Sequence, residues 1–120
     1  MAKRVTAVSR ANGDVVCEQC LVADSPLARM RGLLGRNELP REEGVLLRPA
    51  GSIHTYFMRF AIDVVFLDRE LKVLGLAEHV HPWRAVRRKG AKAVLELRAG
   101  EIVRRRLAVG DTLRVEPAAA

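Results

Sequence analysis

One carboxylate stands inside an otherwise apolar run, Ile62-Asp63-Val64-Val65-Phe66-Leu67, whose six residues suit a central strand covered on both faces. An Asp there must be ionised and paired, accept backbone donors, or hold its proton, because an unpaired buried charge is very costly. Two roles are open to it. Either Asp63 bonds loop amides or Arg59 and fixes a connection, or it serves as a ligand-binding acid or general base beside His54.

The aromatic residues Tyr56, Phe57, Phe60, Phe66 and Trp83 all fall between positions 56 and 83, and His54, His79 and His81 lie in or beside that window. Read as an extended segment, Ser52 to Phe60 puts His54, Tyr56, Met58 and Phe60 on one face and Ile53, Thr55, Phe57 and Arg59 on the other. One face is expected to be core and the other a site. The expected ligand-binding set is His54, Thr55, Met58, Arg59 and Asp63. Three imidazoles could in principle form a metal centre, but no helical H-E-x-x-H or similar framework supports one, so neither a metal nor a cofactor is expected. The chain also lacks a Gly-rich phosphate loop and a nucleophile elbow, so no catalytic engine is legible.

Charge offers a second kind of chemistry. The net charge is +7 and the pI about 10.4, which favours acidic partners without choosing among them. Beside the single tryptophan, Trp83-Arg84-Ala85-Val86-Arg87-Arg88-Lys89 could track a phosphate backbone while the indole stacks on a base. Trp83, Arg84, Arg87, Arg88 and Lys89 are therefore the candidate nucleic-acid-binding residues. Arg104 to Arg106 splay around a helix and cannot all meet one ligand. Cys17 and Cys20 form a lone C-x-x-C; on a strand, positions three apart face opposite sides, so the sulfurs should diverge and remain free thiols.

These residues need elements to hold them. Val5 to Val8 and Val15 to Val22, joined through Asn12-Gly13, predict an opening hairpin. Ser25-Pro26 caps a short helix carrying Leu27, Met30 and Leu34, stopped at Gly35. Strands are expected over Gly44 to Arg48, Ile62 to Leu67, and Leu71 to Val80 with Gly75 as a bulge or close approach. Arg84 to Lys92 reads as a basic connection. Ala93, Leu95 and Leu97 alternate with Glu96 and Arg98 as a half-buried strand, Ala99 to Leu107 predicts a second short helix, and Thr112 to Glu116 a last strand. The fold expected is α+β: one domain over residues 1–120, mainly an antiparallel sheet in meander order curling toward a barrel, with two short helices and a loose tail at 117–120.

Several motifs agree in order with a known family. Arg31-Gly32-Leu33-Leu34-Gly35-Arg36, Gly44-Val45-Leu46-Leu47, Ile53 to Asp68, Val94-Leu95-Glu96-Leu97 with Ala99-Gly100, and Val109-Gly110-Asp111 together resemble the domain of unknown function 192 family from about Val16 to Val115. The resemblance implies a small, mostly stranded domain with short helices and no established activity. Tyr56-Phe57-Met58 stands where the family frequently has Phe-Trp-Met.

The expected function is a non-enzymatic binding or accessory module for a small polar or anionic ligand or a protein segment. Nucleic-acid binding through the Arg and Trp face is the alternative, and an enzyme using Asp63 and His54 the third reading. The apolar runs are too short for a bilayer and no apolar leader follows Met1-Ala2-Lys3-Arg4, so a cytoplasmic setting is expected.

Overall fold

The computed structural model describes residues 5–25 and 33–117. Among the described residues, nine strands and one short helix follow in chain order: β1 (Val5–Arg10), β2 (Val15–Ala23), β3 (Glu43–Leu47), β4 (Ser52–His54), β5 (Ile62–Leu67), β6 (Val73–Val80), β7 (Ala85–Arg87), β8 (Ala93–Arg98), α1 (Glu101–Arg104) and β9 (Leu113–Pro117). The expected helix from Ser25 to Gly35 falls mostly outside the described residues.

β1 and β2 form the expected hairpin. Gly13 takes the left-handed conformation at φ 98°, and Asn12 Oδ1 accepts the Asp14 amide at 3.0 Å, so the turn closes through its own side chain. The larger sheet runs β6-β5-β8-β3-β2-β1-β9. This is not the expected meander: β8 inserts between β5 and β3, and β2 pairs with β3 in parallel while the other neighbours are antiparallel. Nor is the sheet closed into a barrel. Its edge strands approach at one point, where Lys72 bridges Thr112 and the Val73 amide donates to the Asp111 carbonyl.

Both faces of the sheet are covered, which explains the nearly continuous apolar strands. Along β5, Val65 and Leu67 enter one core cluster with Leu95, Leu97 and Ile102, whereas Ile62, Val64 and Phe66 enter a second with Val45, Met58 and Val94. The same double cover corrects the expectation for β8. Glu96 is not on a solvent face but is 4% exposed, opposite Val45 and Val64 on the flanking strands. Burial pushes its carboxyl up to about 7.

The cysteines are a second correction. Thr6 pairs with Cys20 and Val8 with Cys17, so two steps along β1 match three along β2. That bulge cancels the alternation and turns both thiols into the same core cluster, fully buried and free. Its side-chain hydrogen bond to Cys17, in which Cys20 keeps the proton, and then burial push the Cys20 thiol far above its ordinary range.

Two further segments differ from expectation, and they shape the site. Ser52 to Phe60 is extended only through β4; beyond it the chain turns, with the Met58 amide donating to the Thr55 carbonyl and Phe57 left-handed at φ 65°. The basic connection contains β7, which pairs with β4 as a separate two-stranded ribbon. Ile53 and Val86 point inward from this ribbon onto the second core cluster.

Candidate functional site

The ribbon turns its other face outward. Its register sets Ser52 against Arg87 and His54 against Ala85, four exposed residues in all. Thr55, next in the chain, is completely buried and stitches two turns together. Its hydroxyl donates to the His81 carbonyl at 2.7 Å and accepts the Arg84 amide at 2.9 Å; its own amide donates to the Arg84 carbonyl, and its carbonyl accepts the Trp83 and Met58 amides. One threonine thereby holds turn 55–58 against turn 81–84.

The consequence is an aromatic ladder. His54 stacks on Tyr56 at 4.7 Å between ring centroids, Tyr56 on Trp83 at 5.9 Å, and Phe57 meets Trp83 tilted at 4.6 Å. Phe57 and Trp83 are left-handed at φ 65° and 67°, a conformation bulky residues seldom adopt, yet they are 71% and 56% exposed. Backbone strain is here spent on keeping two large apolar rings in water. Beside the ladder, Ser52, His54, Tyr56, Ala85 and Arg87 line a concavity of about 440 Å³. The Tyr56 amide donates to His54 Nδ1 at 3.3 Å, which leaves Nε2 as the outward nitrogen.

With this geometry in place, comparison with known proteins is informative about kinship. The sequence pattern of DUF192, described as an uncharacterised ACR, matches residues 7–115. The chain belongs to the DUF192 family. It is 32% identical over 115 residues to a UPF0127 protein of Thermococcus sibiricus, covering 88% of this chain and 71% of that protein. It is 36% identical over 97 residues to a UPF0127 protein of Pyrococcus furiosus, covering 76% and 81%. A crystal structure of a protein of unknown function from Novosphingobium aromaticivorans superposes with a TM-score of 0.79 at 22% identity, over 93% of this chain and 84% of that one, which speaks to the fold alone. Among the described residues, no helix is long and apolar enough to cross a membrane.

In this DUF192 chain the five expected ligand-binding residues do not converge. His54 is on the exposed ladder, while Thr55 is the buried stitch and Met58 belongs to the second core cluster. Arg59 Nη1 donates to Asn37 Oδ1 at 2.6 Å, beside a different concavity of about 660 Å³ that Asn37 lines with Phe60 and Arg98. Asp63 is fully buried, and its oxygens accept three main-chain amides: His79 at 2.9 Å, Gly100 at 3.0 Å and Ile102 at 2.9 Å. Of the two roles open to Asp63, the geometry supplies the structural one. It caps the start of α1 through the Gly100 and Ile102 amides, where Gly100 is left-handed at φ 98°.

The other candidate set divides as well. Trp83 is in the ladder, Arg87 lines the concavity, and Arg84 and Lys89 are exposed. Arg88 instead crosses to β6, where its guanidinium occupies the space a side chain at Gly75 would need: a Cβ there would lie 2.3 Å from Nε. Gly75 is thus the close approach expected from its type, with a register shift alongside between Phe66 and Leu67. The three histidines are not gathered either; among the described residues, no group of three His, Cys, Asp or Glu side chains could hold a metal. Tyr56 and Phe57, assigned to opposite faces from the sequence, are the site residues that reading missed. Their clustering with Trp83 in composition was the available signal.

Proposed function

We propose that this chain is a non-enzymatic recognition module whose ligand is planar and anionic, held by the aromatic ladder and Arg87. The observation that supports the reading is the exposed ladder His54–Tyr56–Trp83–Phe57 beside a concavity that Arg87 helps to line. Aromatic faces attract flat ring systems, and an arginine fork matches phosphate or carboxylate. An acid–base pairing of Asp63 with His54 has no support in this arrangement, because the carboxylate is consumed by main-chain amides. A reducing, cytoplasmic setting suits two buried free thiols.

Thermal-shift measurements with planar anions such as nucleoside monophosphates, neutral nucleosides and inorganic phosphate test the reading. Planar anions should raise the melting temperature of the wild type most, and Tyr56→Ala and Arg87→Ala should each remove most of that rise. A panel that shifts nothing, or shifts both variants as much as the wild type, ends the proposal.

A further inference from the structure

Resting on that reading, we infer that the ligand is a polymer, single-stranded nucleic acid, which crosses the ribbon with its bases against the ladder and its phosphates toward Arg84 and Arg87. Extent is the first argument. The concavity is lined by His54 and Tyr56 but not by Trp83 or Phe57, so a single small molecule seated there leaves these two exposed rings bare. A ligand that uses all four rings must continue past the concavity.

Charge is the second argument. Arg87 lies at the concavity and Arg84 directly follows Trp83, and among the described residues neither makes an ion pair. The whole chain carries +7, so a polyanion gains from approach at long range as well as at contact. An apolar protein segment would cover the rings but leave these cations desolvated without partners. A duplex would satisfy the arginines but keeps its base faces sealed within the stack. Single strands offer both free base faces and a regular row of phosphates, and stacking on aromatic side chains accepts any base.

Trp83 is the sole tryptophan, so its fluorescence reports the ladder directly. The probes are a ten-residue thymidine strand, its uridine counterpart, the same thymidine strand in duplex, and thymidine monophosphate. The single strands should quench Trp83 and bind at least tenfold more tightly than the monophosphate. Phe57→Ala should weaken single-strand binding by about tenfold, the scale of one lost base stack. The combined Arg84→Ala, Arg87→Ala protein should bind with a salt slope flatter by about 1.4, from about 0.7 for each single-strand phosphate contact. Tighter binding of the uridine strand assigns the site to RNA, and equal affinity assigns it to single strands irrespective of sugar. Duplex binding as tight as single-strand binding overturns the inference, as does an unchanged salt slope in a double variant with wild-type melting temperature. If the monophosphate protects the protein but the strands bind no more tightly, the polymer inference falls and the planar-anion reading stands. If neither binds, both fall.

Discussion

Two corners of this small domain use the same residue types in opposite ways. Around α1, acids and arginines are satisfied by one another and by the backbone. Asp63 accepts three amides; Glu101 is bonded by Arg104 at 2.7 Å and Arg105 at 3.1 Å; Arg105 also reaches Glu18 at 2.6 Å. The Arg10 guanidinium donates to the Arg105 and Arg106 carbonyls and to Asp111. Burial would raise the Glu101 carboxyl, but its bonds to Arg104 and Arg105 outweigh that and hold it below the usual range. At the β4–β7 ribbon, Thr55 carries most of the polar bonding beneath the surface, and the rings and arginines above it are exposed. The lesson is that charge count locates neither structure nor function. What separates the two corners is whether the geometry leaves a group with something still to bind.

The largest effect should come from breaking the satisfied corner. Asp63→Ala strands three amide donors inside the protein and should cost about 4 kcal/mol, read from the midpoint of urea denaturation at constant slope. A loss under about 1 kcal/mol would mean that the carboxylate is not the anchor described.

Glu96 sharpens the comparison, because among the described residues it is a buried carboxyl without the amide partners Asp63 enjoys, and burial alone sets its shift. Its folded value, about 7, is above the ordinary 4.5, so the folded state binds its proton more tightly than the unfolded chain does. The stability it contributes is therefore complete below about pH 4.5 and lost as pH rises through about 7. Between those limits the wild type should lose about 3 kcal/mol relative to Glu96→Gln, whose stability lacks this pH-dependent component. Parallel stability curves for the two proteins from pH 5 to 8 would contradict the assignment.

The smallest effect is expected at the ribbon. Phe57→Gly removes an exposed ring from a left-handed position that glycine occupies without strain, so stability should stay level or rise by up to about 1 kcal/mol. Differential scanning calorimetry decides it. A loss above about 2 kcal/mol would make the ladder part of the scaffold and erase the contrast between the corners.

Local pattern alone carried much of the architecture. Asn12-Gly13 determined the first hairpin, the six-residue run at Ile62 determined a strand buried on both faces, and Ala99 to Leu107 contained the short helix. Such features depend on neighbours in sequence: turn chemistry, period two, or helical spacing. The sequence likewise placed Asp63 under electrostatic demand and showed where the aromatic residues concentrate. It could not say that His79, Gly100 and Ile102 would meet that demand, since those donors are 16 to 39 residues away. Nor could alternation survive the bulge that turns Cys17 and Cys20 to one side, or the turn after His54 that puts Phe57 beside Trp83. Those outcomes belong to the tertiary structure because hydrogen bonds from Thr55, across 26 and 29 residues, decide where each ring comes to rest. Periodicity governs which way a side chain points from a regular element; it has no hold where the chain leaves that element and long-range bonds set the backbone.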